Sequence, residues 1–237
     1  MSLVVTGQGR SAMLHDPTAT TDPGRLFDLE SLAAAGRVEQ VRGGRGSVNF
    51  LELSGDRFVL RRYLRGGLVA RLSKDRYAWT GLERTRPFRE LRLLERLQAL
   101  GLPVPRPVAA RVTRHGLTYS GELVTSRLPA AEPLGERWLA GRASEEDWLA
   151  AGRCVRRFHD AGVRHADLNA NNIMVDGLGG VWLLDLDRGS LPGPGPWQRS
   201  VLQRLARSLR KLAADERSWE APWELFMLGH GDAEASL

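Results

Sequence analysis

The chain has one cysteine, Cys154, so it can form no intramolecular disulfide. With 237 residues it is long enough to bury a sizeable core without such a staple. A reducing compartment is the expectation. Cys154 falls within a helical pattern and reads as a packing residue rather than a nucleophile. Lysine is nearly absent, with only Lys74 and Lys211. No apolar run reaches the ~18 residues that a bilayer span needs. Acidic and polar residues interrupt the first residues before the apolar core of a signal peptide can form. The expected location is therefore the cytosolic side. There is no internal repeat and no motif that reads DNA or RNA, so no nucleic acid is expected as partner, although the charge would permit one.

What is present is arginine. The net charge is +6, and almost all of the positive charge sits on guanidinium groups. These grip phosphate and carboxylate with a planar fork. By charge alone an anionic partner is expected: a nucleotide, a nucleic acid or an anionic membrane surface. A GC-rich genome would also favour arginine codons, but it would not by itself explain the net charge.

Residues 1–25 read as a weakly ordered arm ending in the turn at Thr21-Asp22-Pro23-Gly24. Residues 26–128 read as a first lobe. In it, Phe50, Leu51 and Leu53, then Phe58 and Leu60, flank Ser54-Gly55-Asp56 and predict a hairpin. Upstream lies Arg42-Gly43-Gly44-Arg45-Gly46-Ser47, a glycine-rich loop between two candidate strands. Phe88, Leu91, Leu94 and Leu97 repeat at helical spacing within 83–100, and Gly101 ends the run. Pro103, Pro105 and Pro107 form a stiff connector before short strands near 108–112 and 117–124.

Residues 129–237 read as a second, helical lobe, with a linker or crossover at 129–143. Ser144 and Asp147 form a capping box ahead of a helix with Trp148, Ala151, Val155 and Phe158 on one face. A polar loop at 165–172 follows. Strands at 173–175 and 181–184 turn through Gly177, Gly179 and Gly180. A final helix carries Val201, Leu205, Leu209 and Leu212, with a shorter one near 219–228.

The chemistry concentrates in His165-Ala166-Asp167-Leu168-Asn169-Ala170-Asn171-Asn172 and in Asp185-Leu186-Asp187. Phosphoryl transfer needs a carboxylate to orient a hydroxyl, oxygen ligands for magnesium, and cations near the phosphates. Asp167 sits on a helix-to-strand loop and is the candidate catalytic carboxylate. Asn172, five positions on, opens the next strand, and Asp185 ends the strand after it. These two are the candidate Mg2+ ligands, since magnesium takes hard oxygen donors.

This set resembles the catalytic loop and metal motif of the protein-kinase-like superfamily, with His165-Ala166-Asp167 in place of His-Arg-Asp and Asp185-Leu186-Asp187 in place of Asp-Phe-Gly. The implied fold is α+β and bilobal, with a small, mostly antiparallel-sheet N-lobe and a helical C-lobe. His165 then braces the loop. Gly44, Gly46 and Ser47 resemble a glycine loop over the nucleotide phosphates, though Asn49 stands where a third glycine would be. The strand cation is arginine, not lysine: Arg61 is the candidate, Arg62 its neighbour, and only one can face the site. Glu90 would pair with that cation, or else be a solvated helix charge. The role of Asp187 is open.

Only about 50 residues follow Asp187, too few for the peptide-binding helices of a protein kinase. The runs at 58–63, Arg65-Gly66-Gly67, Arg89-Glu90, 101–105, 165–173 and 185–189 resemble the 3-deoxy-D-manno-octulosonic acid (Kdo) kinases, which belong with the lipopolysaccharide core kinases of Gram-negative bacteria. The resemblance covers about residues 40–215. It implies an alcohol-group phosphotransferase that moves the ATP γ-phosphate to the 4-hydroxyl of a Kdo residue on a lipid A precursor. It also implies a peripheral place on the cytoplasmic face of the inner membrane. The basic, aromatic stretch Arg65, Arg71, Arg76 and Trp79 suits an anionic surface, or else is a solvated loop. No obligate protein partner is inferred. Other readings are a heptose kinase of the lipopolysaccharide core, a kinase of small soluble acceptors, and a non-catalytic pseudokinase that binds partners.

Overall fold

The computed structural model describes residues 2–43, 46–64, 75–215 and 217–231. The chain divides into two compact units, Met1–Arg96 with Pro105–Arg127, and Leu97–Val104 with Leu128–Leu237.

The first unit is built on an antiparallel sheet. Its strands are β1 (Val4–Gln8), β2 (Ser11–His15), β3 (Val38–Gly43), β4 (Gly46–Leu53), β5 (Asp56–Arg62), β6 (Tyr77–Ala78), β7 (Pro107–His115) and β8 (Thr118–Ser126). Their spatial order is β1-β2-β7-β8-β5-β4-β3, and β6 pairs with one end of β8. The β4–β5 connection is a tight hairpin. Ser54 and Gly55 have φ of 56° and 86°, which suits the primed turns that match strand twist.

One face of this sheet carries Leu51, Leu53, Phe58, Leu60, Val108, Ala109 and Val124. Leu26 and Phe27, from a 3-10 helix at Pro23–Phe27, and Leu32, from α1 (Leu29–Ala34), pack onto it. This overturns the reading of residues 1–25 as a weakly ordered arm. β1 and β2 are a hairpin, β2 pairs with β7 from Ser11↔Thr113 to His15↔Ala109, and Leu14 is fully buried. Asp16 accepts from Arg106 Nη2 at 2.8 Å and from the Thr18 hydroxyl at 2.8 Å, and so fixes the chain where it leaves β2.

α2 (Arg86–Ala99) begins in the first unit. It buries Phe88, Leu91 and Leu94, as the helical spacing predicts. Its first turn sits close against β8. A Cβ on Gly121 would lie 2.4 Å from Pro87 Cγ, so only glycine allows this approach. The Arg86 N–H donates to the Tyr119 hydroxyl at 3.0 Å and completes the seat.

The second unit holds α3 (Leu134–Leu139), α4 (Glu145–Asp160), α5 (Trp197–Leu212), α6 (Glu220–His230) and a small sheet in the order β11 (Val181–Leu183), β10 (Ile173–Val175), β9 (Glu132–Pro133). The segment expected as a linker thus contains a strand and a helix. Its Glu132 accepts from Arg137 Nη1 at 2.8 Å. Ser144 and Asp147 form the capping box of α4. The face with Trp148, Ala151, Val155 and Phe158 is buried. Cys154 is buried too, its thiol on the Val181 carbonyl at 3.7 Å, and burial pushes its pKa up to about 12. At that value it holds almost no thiolate, which confirms it as a packing residue.

Candidate functional site

The first unit presents a cation held by a buried carboxylate. Along β5, Phe58 and Leu60 point into the core cluster, so Arg61 emerges on the opposite face. Arg61 Nη2 donates to Glu90 Oε1 at 2.5 Å. Arg62 turns to the other face and meets Glu122 at 3.0 Å, beside Arg111. It is therefore Arg61, and not its neighbour, that meets Glu90. Glu90 is only 2% exposed, which removes the reading of a solvated helix charge.

The other oxygen of Glu90 accepts from the Tyr63 hydroxyl. Burial, and then the charge of Glu90, hold the Tyr63 phenol well above its ordinary pKa, so it stays a donor. Arg86 lies over the Tyr63 ring at 5.4 Å. From sequence Tyr63 enters only as the end of the run at 58–63, with no role assigned. Its signal was there, because a residue two positions after Arg61 continues on the same face.

The glycine-rich segment is the β3–β4 connection. Gly46 and Ser47 are strand residues paired with Gly43 and Arg42. Gly44 lies outside the described residues, as do Arg65 and Arg71. Of the basic stretch that remains, Arg76 pairs with Asp75 at 3.5 Å. Trp79 packs beneath Arg114 at 4.9 Å and edge-on to Tyr119.

The second unit brings the polar loop and the end of β11 into one bonded frame. His165 is 2% exposed. Its Nδ1 accepts from the Asp167 N–H at 3.3 Å, so Nε2 carries the proton and donates to the Leu184 carbonyl at 2.7 Å. Burial lowers the His165 pKa, which keeps the ring neutral in this tautomer. One ring thus ties the backbone of Asp167 to the residue before Asp185.

Two side-chain amides close the loop on the Asp167 carbonyl, Asn169 at 2.8 Å and Asn172 at 2.9 Å. The Leu184 N–H donates to the Asn172 carbonyl at 2.9 Å. Asp185 has φ of 58°, a left-handed conformation uncommon outside glycine. The antiparallel bridge Arg164↔Ser190 pins the chain that follows.

The donor chemistry here fits a divalent cation. Asn172 spends its Nδ2 on the loop carbonyl, which leaves Oδ1 as its remaining side-chain acceptor. Asp185, one residue beyond the Leu184–Asn172 bond, offers a carboxylate. Among the described residues no group of three His, Cys, Asp or Glu is assembled. One amide oxygen and one carboxylate suit a metal that takes its remaining ligands from phosphate and water.

Asp167 itself is half-exposed, and it is not alone. Arg204, on α5, donates to Asp167 Oδ1 through Nε at 3.0 Å and also through Nη2. Four residues along, Ser208 accepts from the Ala170 N–H at 3.2 Å. Neither was named from sequence. Their i, i+4 spacing on α5 was visible, but nothing in the sequence says which loop that face meets.

The lipopolysaccharide kinase (Kdo/WaaP) family model matches residues 31–226. The chain belongs to this family. It is 48% identical over 75% of its length to the 3-deoxy-D-manno-octulosonic acid kinase of Stenotrophomonas maltophilia strain K279a, covering 71% of that protein. It is 49% identical over 87% of its length to the 3-deoxy-D-manno-octulosonic acid kinase of Xanthomonas oryzae pv. oryzae strain PXO99A, covering 83%. The enzyme of that name from Xanthomonas axonopodis pv. citri strain 306 matches at 44% over 87% of this chain and 83% of its own. Among solved structures, WbdD matches with a TM-score of 0.48 and 18% identity over 82% of this chain and 46% of its own, too remote to carry an argument. A Kdo/WaaP-family kinase is a protein-kinase-like enzyme, so the α+β architecture, the ATP donor and a divalent metal belong to the family reading.

Proposed function

We propose that this protein transfers the γ-phosphate of ATP to the 4-hydroxyl of a Kdo residue on a lipid A precursor such as Kdo-lipid IVA. The observation that carries the proposal is the frame around Asp167. Its backbone is fixed by His165, Asn169 and Asn172, and the same bonds reach the strand end at Asp185. A positioned carboxylate beside a two-oxygen metal site is what phosphoryl transfer asks of a protein.

In this reading Asp167 orients the acceptor hydroxyl and takes its proton. The hydroxyl oxygen bonds to the γ-phosphorus, the bond to the β,γ-bridging oxygen breaks, and ADP leaves. Asn172 and Asp185 would hold Mg2+, which would neutralise charge on the phosphates. Arg61 sits near the phosphates, its guanidinium held by Glu90 and Glu90 in turn by Tyr63. Gly46 and Ser47, on the β3–β4 connection, are assigned to the phosphates as well, together with Gly44, which lies outside the described residues. Arginine in place of lysine keeps the charge at all working pH and offers two donors to one phosphate.

The placement we propose is peripheral, on the cytoplasmic face of the inner membrane, where the acceptor lipid presents its sugar. Among the described residues no helix is long and apolar enough to cross a membrane. The anionic acceptor and anionic membrane surface match a chain of net charge +6.

The test is direct. Purified protein, ATP, Mg2+ and Kdo-bearing lipid IVA are incubated, and the lipid is weighed by mass spectrometry. A gain of one phosphate is expected, lost in Asp167→Ala while ATP still binds. No gain, with ATP bound, would turn the reading to heptose-bearing or soluble acceptors.

A further inference from the structure

Among the described residues, Arg204 is the cation that meets the proposed catalytic carboxylate, in an exposed pair. Both of its bonds fall on Oδ1 of Asp167, so Oδ2 is left for another partner. Both side chains are exposed, 47% for Arg204 and 42% for Asp167. A pair that only stabilised the fold would gain little at that exposure.

The helix behind it points the same way. α5 reads Trp-Gln-Arg-Ser-Val-Leu-Gln-Arg-Leu-Ala-Arg-Ser-Leu-Arg-Lys-Leu and contains no acidic residue. Val201, Leu202, Leu205, Ala206 and Leu209 are buried, while Arg199, Arg204, Arg207, Arg210 and Lys211 are exposed. At helical periodicity these five cations span an arc of about 140°. A solvated helix face normally mixes signs, and this one does not. Arg204 stands where that anion-seeking face meets Asp167.

We propose that Arg204 reads the carboxylate of the acceptor sugar. The inference rests on the Kdo-kinase reading above. A ulosonic acid carries its carboxylate on C2 and the accepting hydroxyl on C4, separated by one ring carbon. Neighbouring side chains can therefore meet both groups. Before the acceptor binds, the guanidinium occupies Asp167 Oδ1. When it binds, the sugar carboxylate takes guanidinium donors in a planar, charge-assisted contact, and Oδ2 of Asp167 takes the 4-hydroxyl. A sugar without the carboxylate leaves Arg204 on Asp167 and gains no such contact, which makes the residue a selector for acidic sugars.

The test compares wild type with Arg204→Gln and Arg204→Lys on two acceptors: Kdo-lipid IVA, and the same lipid with its sugar carboxylate methyl-esterified. The KM for acceptor, the KM for ATP and kcat are measured for each, with melting curves as a folding control. For Arg204→Gln we expect the acceptor KM to rise about 10- to 100-fold with the ATP KM unchanged, the range for a lost hydrogen bond to a charged group. Arg204→Lys falls between, since it keeps the charge and loses the fork. Esterification should penalise wild type by a similar factor and Arg204→Gln hardly at all, so the two losses do not add. Equal losses for Arg204→Gln on both acceptors, or a fall in kcat alone, would overturn the proposal and leave Arg204 as a positioning residue for Asp167. A wild-type protein that binds ATP but phosphorylates neither lipid would sink the Kdo-kinase reading itself, and this inference with it.

Discussion

Replacing Tyr63 by phenylalanine removes one oxygen atom from the first unit and tests how the proposed phosphate cation is held. The ring stays, so its packing and its contact with Arg86 survive. What goes is the only described donor to Glu90 Oε2, on a side chain that is 2% exposed. A hydrogen bond to a charged group contributes about 1.5–3 kcal/mol. In a chain of this size each kcal/mol moves Tm by about 2–4 °C, so a fall of about 3–12 °C is expected. The acceptor can also be made neutral. In a Glu90→Gln background the same Tyr63→Phe change should cost only about 0.5–1.5 kcal/mol, the value for a neutral bond. The cycle should therefore show about 1 kcal/mol of coupling between the two positions. Circular dichroism melts of the four proteins supply these numbers, and initial rates add the functional side. ATP KM should rise in Tyr63→Phe while acceptor KM holds, because Glu90, the partner of Arg61, is held less firmly. A Tm within about 1 °C of wild type, with no coupling, would refute the picture of Glu90 as a buried carboxylate shared by Arg61 and Tyr63.

Asp167→Ala should lower turnover by about 10²–10⁴, the usual worth of a positioned proton acceptor, with ATP affinity by calorimetry unchanged. Alanine at Gly121 would place a Cβ 2.4 Å from Pro87 Cγ and push back the turn of α2 that carries Glu90. A loss of about 1–3 kcal/mol in denaturant melts is expected, with a raised ATP KM. Cys154, its pKa pushed up to about 12, should resist a thiol reagent at neutral pH in the folded protein and react fully once unfolded; rapid labelling of the native state would contradict its burial. Burial, and then the charge of His230, push His159 down to about 3. The folded state keeps it neutral while the unfolded chain protonates it near the ordinary ~6.5. Its contribution is therefore complete above about pH 6.5 and is lost below it, at up to about 1.4 kcal/mol per pH unit. Denaturant midpoints in His159→Leu should fall less steeply with acid than in wild type.

The bonded frame of the polar loop at 165–172 was legible because its residues bond across short sequence separations. Asn169, Asn172 and His165 all bond within Asp167's own loop or to the strand end 19 residues on, and a spacing rule captures such a unit. The α4 capping box and the β4–β5 hairpin are local in the same sense. The N-terminal hairpin was missed for the opposite reason. Its pairing partner β7 lies about a hundred residues away, and its own five-residue strands carry no strong alternation.

Arg204 shows why the remainder resists prediction from a linear pattern. Its contact with Asp167 spans 37 residues, and on the sequence it is one arginine among five exposed cations of one helix. Only the packing of α5 singles it out, through Ser208 on the Ala170 N–H one turn further along. The helix's apolar stripe says that it packs, and the stripe's angle says which residues stay outside. Neither says which loop lies opposite. A bonded frame that sits on one loop is thus readable from residue types and spacing, because both ends of each bond are in the same short segment. The proposed acceptor selection by Arg204 depends instead on a helix docking against that loop.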